Sequence, residues 1–306
     1  MHIQWYPGHM NKARKQIVET LPKVDLVIEI LDARIPFSSE NPLLAELRGD
    51  KPCIKILNKS DLADPAVTAS WQQWLEREKA VKTMALDSTQ KHMVKPLLEL
   101  CRKMVPAKAD ISKPLSAMIF GIPNVGKSTW INILADRTIA KTGNEPAVTK
   151  NQQRIKLENN ITLIDTPGML WPNIEHPNYG YRLAATGAIK DTAIDHADVA
   201  FFIIDYLLDY YRELLAQRYQ IDDLATAELE AIEQIGAKRG CLGSGGRVNL
   251  DQVAKILLTE LRSGYIGNIS LEIPEMIEQE EAEVIIKREQ RAVKKEARKN
   301  KWKKNT

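Results

Sequence analysis

The order of two short motifs constrains this chain more than any other feature of its sequence. Gly121-Ile-Pro-Asn-Val-Gly-Lys127-Ser128 follows an apolar run, LSAMIF at 115–120, and opens a helical pattern from Lys127 to Ala135. A strand that turns through glycines into a helix leaves backbone N–H groups converging on one spot, where the helix N-terminus adds positive potential. Asn124, Val125, Gly126, Lys127, Ser128 and Thr129 are therefore expected to hold nucleotide phosphates, with Lys127 reaching the β- and γ-phosphates and Ser128 coordinating Mg2+. Downstream, Asp165-Thr-Pro-Gly168 ends the strand ITLI. A carboxylate at that place holds the metal directly or through a water, and Gly168 joins the nucleotide-binding set.

The second motif, Asn58-Lys59-Ser60-Asp61, ends another apolar run, PCIKIL at 52–57. A carboxylate at Asp61 accepts two hydrogen bonds from the N1–H and 2-amino groups of guanine, whereas adenine offers an acceptor at N1 and no 2-amino group. Buried and unpaired, Asp61 would reject ATP, because sites built around one hydrogen-bonding group discriminate strongly against an analogue lacking it. Asn58 is expected to touch the base and tie loops together, Lys59 to lay its methylenes over the ring, and Ser88 to support the base from the other side. GTP and GDP are thus the expected ligands. In a Ras-like GTPase the phosphate loop comes first and N-K-x-D last; here Asp61 precedes Gly121. The parts are circularly permuted, with AKADISKP at 107–114 as the connector that rejoins the old ends.

The remaining pattern fits that frame. Strands are expected at 24–31, 52–57, 81–86, 115–120, 153–158 and 161–164, with helices at 66–79 and 94–104 between them, the alternation of a mostly parallel α/β sheet. The first strand runs into Asp32-Ala33-Arg34 and the third into Asp87-Ser88-Thr89, polar groups at the carboxyl ends where such sheets bind ligands. Beyond Pro177 the pattern becomes helical, over 206–219, 226–239 and 249–263, and Gly264 can stop the last of these. Periodicity leaves ADVAFFII, 197–204, open between helix and strand. Trp71 and Trp74 lie on an expected helix as core or half-buried residues rather than base-stacking platforms. The fold expected is a permuted P-loop GTPase domain at 1–176, an all-α domain at 177–284 and a basic tail at 285–306.

Charge separates the tail from the rest. Ten Lys/Arg against two Glu give 285–306 a net +8, which leaves the other residues at −5 and the whole at +3. Such a density releases counterions from an RNA backbone and gives salt-sensitive affinity without reading sequence; the same charge also suits a solvated C-terminus. Lys12, Arg14, Lys15, Lys238, Arg239 and Arg247 are further RNA-contact candidates. At 44% apolar and 27% charged residues the chain is not a disordered one. No apolar run reaches the ~18 residues of a membrane span. The N-terminus, with Pro7-Gly8, does not resemble a signal peptide, so a cytoplasmic location is expected. Cys53, Cys101 and Cys241 are too scattered for a zinc site and read as reduced, buried thiols.

Taken in order, WYPGHMNKAR, DARIP, NKSD, GIPNVGKS, PAVTK, DTPG and KRGCLGSGGRVN resemble the circularly permuted ribosome-biogenesis GTPase A family over nearly the whole chain. The resemblance implies GTP hydrolysis coupled to late maturation of the large ribosomal subunit, the helical domain contacting its rRNA, with no membrane or DNA partner and a monomeric chain. It implies that Thr149 closes on Mg2+ and the γ-phosphate, and that Asn124 binds a K+ ion serving in place of an arginine finger. After DTPG, where Ras-like enzymes place a water-orienting glutamine, stand Met169 and Leu170, which cannot hydrogen-bond water. The resemblance points to His9 for that task; on its own, His9 reads as an exposed or capping histidine. The alternative is a nucleotide-dependent RNA-binding switch or RNA-modification helper not tied to the large subunit.

Overall fold

A computed structural model describes the backbone of residues 9–140 and 153–304. The aliphatic runs form one six-stranded sheet from β1 (Leu26–Asp32), β2 (Cys53–Asn58), β3 (Val81–Ala85), β4 (Leu115–Gly121), β5 (Gln153–Lys156) and β6 (Ile161–Asp165). β1, β2 and β4 are buried on both faces, as expected when helices cover both sides of a parallel sheet. The strand order is β3-β2-β1-β4-β6-β5, parallel throughout except for β5, which runs antiparallel to β6 at the edge.

This order positions the site. The chain builds outward from β1 to β3, then returns to lay β4 on the other side of β1, so the order reverses between β1 and β4 and opens a crevice at the carboxyl ends there. Register aligns those ends: Asp32 lies beside Asn58, Ile30 beside Gly121, and Ile119 beside Asp165. The return path is fixed by one side chain. Arg102 donates to the carbonyls of Lys108 (2.7 Å) and Lys113 (2.8 Å) in the connector and of Asn160 (3.2 Å) in the turn before β6, which ties the connector to that turn.

The helices are α1 (His9–Thr20), α2 (Pro42–Arg48), α3 (Pro65–Leu75), α4 (Val94–Met104), α5 (Lys127–Leu134), α6 (Pro177–Ala185), α7 (His196–Tyr210), α8 (Arg212–Tyr219), α9 (Glu228–Lys238), α10 (Leu250–Arg262) and α11 (Pro274–Lys304). The ambiguous segment 197–204 is helix. Asp195 caps α7 by accepting from Ala197 N (2.9 Å) and Asp198 N (3.2 Å), and Val199, Ala200, Ile203 and Ile204 pack inside the helical layer. The expected helix at 206–219 is two, broken at Tyr211, whose backbone (φ −139°, ψ 30°) is not helical. α10 ends just before Gly264, which takes the left-handed conformation (φ +74°). α11 runs unbroken through residue 285, so the basic residues continue a helix that begins at Pro274. Trp71 is fully buried and Trp74 partly so; Trp71 Nε1 donates to Glu272 O (3.0 Å), tying α3 to the segment that leads into α11. No described helix is long and apolar enough to cross a membrane.

Candidate active site

The phosphate loop is the turn between β4 and α5. Gly126 has φ +98°, and a Cβ there would stand 2.2 Å from Asn58 Nδ2, so only glycine lets the turn pass the base motif. Asn124 is also left-handed (φ 59°), a conformation that asparagine tolerates. Asn58 is buried and joins the two motifs: its Nδ2 donates to Val125 O (2.6 Å), and its Oδ1 accepts from Trp130 Nε1 (2.8 Å). The structure thus brings together residues separated by the permutation.

Lys127 and Asp165 form an ion pair, both buried, through Asp165 Oδ1. Asp165 Oδ2 is also buried and has no hydrogen-bond partner among the described residues. Burial raises the Asp165 pKa and lowers that of Lys127, and the attraction between them only partly opposes this. An acceptor oxygen without a donor, beside an ammonium able to turn toward phosphate, suits a site that Mg2+ and a triphosphate complete. Among the described residues no three His, Cys, Asp or Glu are grouped to hold a metal. Ser128 and Thr129 open α5 and are partly accessible. Thr166 Oγ1 donates to Ile119 O (2.8 Å), anchoring the turn before Gly168 to the phosphate-loop strand.

On the base side, Lys59 is left-handed (φ 60°), and its Nζ donates to Asp32 Oδ2 (2.9 Å). Arg34 grips the same carboxylate in a fork, Nε on Oδ1 (2.9 Å) and Nη2 on Oδ2 (2.8 Å). Asp61 and Ser88 are both exposed. For Asp61 this corrects the buried carboxylate expected from sequence: the base itself must supply the desolvation, since the loop leaves the carboxylate facing solvent. Met169 and Leu170 are buried in the core, so neither faces a water. Thr149 and the side chain of His9 lie outside the described residues.

A family model described as 50S ribosome-binding GTPase matches residues 116–238. Ribosome biogenesis GTPase A of Priestia megaterium is 45% identical over 289 residues, covering 91% of this chain and 99% of that protein. The Thermotoga maritima protein of the same name is 31% identical over 276 residues, covering 90% and 96%. The chain belongs to the ribosome biogenesis GTPase A family. Among solved structures, GNP-bound YlqF from T. maritima superposes with a TM-score of 0.59 at 28% identity, over 87% of this chain and 99% of that one. GDP-bound TM YlqF gives 0.60 at 27% identity, over 85% and 99%.

As a ribosome biogenesis GTPase the chain binds guanine nucleotide and hydrolyses GTP, on a permuted, mostly parallel sheet followed by helices. The family match begins on β4, so it takes in the phosphate loop and Asp165 and leaves Asn58–Asp61 outside, as a base motif moved ahead of the loop requires. Two parts of this GTPase site escaped the sequence reading. No motif singles out Trp130, though its place one turn beyond Gly126 puts it on the face turned toward Asn58. Asn41 Nδ2 donates to Met169 O (3.1 Å), holding the turn that follows Gly168; nothing local in the sequence signals that contact.

Proposed function

We propose that this GTPase acts on a maturing large ribosomal subunit, binding its rRNA in the GTP state and leaving after hydrolysis. The observation that carries the reading is the match over 116–238 to a family described as 50S ribosome-binding, in a chain whose α11 is rich in Lys and Arg from Lys287 onward. Arg291, Lys294 and Lys295 are exposed on α11, where they suit phosphate contacts that position the protein without reading bases. Asn124 Nδ2 donates to Gly187 O (2.8 Å), so the phosphate loop touches the turn after α6 and nucleotide state has a direct route into the helical part.

In hydrolysis Lys127 would leave Asp165 for the β- and γ-phosphates. Ser128, Thr149 and Asp165 would hold Mg2+, which neutralises phosphate charge when bound. Asn58, Lys59, Asp61 and Ser88 would hold guanine; Val125, Gly126, Thr129 and Gly168 would line the phosphates. His9 would orient the attacking water, a task that the buried Met169 and Leu170 leave open. The Asn124 bond to Gly187 uses the amide nitrogen; K+ would take the amide oxygen, a donor of the hard type that alkali cations accept.

The decisive test is co-sedimentation with purified ribosomal subunits in a non-hydrolysable GTP analogue and in GDP, alongside turnover with and without each subunit. Association with large subunits in the analogue only, with stimulated turnover, is expected; equal association with RNA of any source, without stimulation, would favour a general RNA-binding switch. His9→Ala is expected to keep GTP binding and lose the stimulation, and replacing K+ by Na+ to slow turnover.

A further inference from the structure

The turn from α10 to α11, residues 263–273, leaves the helical part and runs back over the loop that carries Asn58–Asp61. Backbone pairs it to both sides of that loop: Ile269 N donates to Leu62 O (2.9 Å) and Leu271 N to Arg34 O (2.8 Å). Asn268 spans the motif's end, its Nδ2 donating to Asp61 O (3.0 Å) and Ala63 O (3.2 Å). Ser270 Oγ accepts from Asp64 N (3.2 Å). Arg34, which grips the carboxylate that holds Lys59, also donates from Nη1 to Arg262 O (3.5 Å). The turn is not a loose crossing, since Ile269, Ser270, Leu271 and Glu272 are all buried.

We infer that Asn268 and Arg34 are positioning residues of the guanine site, Asn268 for base selection by fixing the backbone at Asp61 and Arg34 for base stacking by fixing Lys59 through Asp32. The inference rests on reading Asn58–Asp61 as the base motif. Its physical ground is that Asp61 is exposed on a short loop, where the charge of the nearby Arg34 attracts the carboxylate but does not set its direction, so the backbone beneath it must place it where both guanine donors meet it. A two-point contact discriminates only while both distances are held; displacement of the backbone by an ångström weakens the second hydrogen bond first. The helical part therefore contributes to base choice without touching the base, through a side chain more than two hundred positions away from Asp61 in the sequence.

The experiment measures kcat and KM with GTP, with inosine triphosphate, which lacks the 2-amino group, and with xanthosine triphosphate, for the full-length chain and for Asn268→Ala, Arg34→Lys and Asp61→Asn. Asn268 is exposed, so its replacement should fold; Arg34→Lys keeps a cation on Asp32 while losing the fork and the bond to Arg262. Asn268→Ala is expected to lower the GTP-over-inosine preference by about fivefold, the worth of one hydrogen bond, through KM and with kcat unchanged. Arg34→Lys is expected to raise KM for both nucleotides. Asp61→Asn should move preference toward xanthosine triphosphate, whose 2-oxo group accepts from an amide. If Asp61→Asn does so while Asn268→Ala keeps the wild-type ratio, whatever its melting temperature, the positioning role is overturned and the base motif stands. If Asp61→Asn leaves base preference unchanged, the motif reading fails and takes the inference with it.

Discussion

Asp32 closes β1 and Asp165 closes β6 at the same edge of the sheet, and these two buried carboxylates are held in opposite ways. Asp32 accepts from two cations, Arg34 in a fork and Lys59, and although burial pushes its pKa up, their charge brings it far below the usual carboxylate range. Among the described residues Asp165 has one cation, Lys127, and one buried oxygen with no donor; burial wins and its pKa rises. The base side of the crevice is thus finished before nucleotide arrives, whereas the phosphate side is built incomplete and waits for charge from the ligand. A site of this kind can recognise its base on a rigid platform while its phosphate half changes partners during the reaction.

The comparison breaks most readily at Asp32. Asp32→Asn leaves Arg34, about 1% exposed, without the carboxylate it grips, and is expected to cost about 3–5 kcal/mol in denaturant unfolding. The pH dependence should change as well. A carboxylate with a lowered folded pKa contributes stability above its unfolded value, near 3.8, which is lost as pH falls below it. Asp32→Asn should therefore lose part of the wild-type decline in acid. On the phosphate side, Lys127→Ala is expected to lower turnover by about 10²–10³-fold while costing much less stability, because the abandoned Asp165 can take up a proton. Its raised pKa contributes stability at low pH that is lost as pH rises through the folded value, so the cost should shrink toward acid. Equal stability losses for Asp32→Asn and Lys127→Ala would remove the distinction between the two halves.

Where the halves meet, Gly126→Ala forces a Cβ against Asn58 Nδ2 and demands φ +98° of an alanine, a strain of about 1–3 kcal/mol. It should weaken binding of GDP and of GTP alike, checked by nucleotide titration, because it strikes the junction rather than either side.

How legible this was depended on distance along the chain. The phosphate loop is contiguous, strand, turn and helix in one stretch, so its residues predict its shape. β1, β2 and β4 were equally plain, since strands buried on both faces read as near-continuous aliphatic runs, interrupted here at Glu29, Lys55 and Ser116. ADVAFFII was not, because a helix packed among other helices is apolar on more than one face and loses its period. The clamp on Asp32 was half visible: Asp32 and Arg34 stood out at a strand end, but Arg262 and Asn268 come from the far end of the chain, and no local pattern pairs them. Asp61 was expected to be buried because its chemistry needs a dry edge; the fold leaves that to the base.

A third carboxylate on the same strand sharpens the contrast at its smallest scale. Glu29 lies three residues before Asp32, on the opposite face of β1, and is buried, but Glu40 adds to the cost of its charge, and Lys55 and Arg48 offset only part of that; its pKa is pushed up to about 8. It accepts from Asn41 N (3.3 Å), a bond that a neutral side chain keeps. A raised folded pKa contributes stability that is full below about 4.5 and is lost as pH climbs through about 8. Glu29→Gln should accordingly match the wild type near pH 5 and exceed it by about 1–2 kcal/mol at pH 9, read from urea unfolding at both values. Lys55 would not be stranded by the change, since its Nζ still donates to Glu40 (2.7 Å) and Glu78 (3.1 Å). A variant less stable than the wild type at pH 9 would mean that Glu29 is held ionised as Asp32 is, and that burial along β1 does not by itself separate the two.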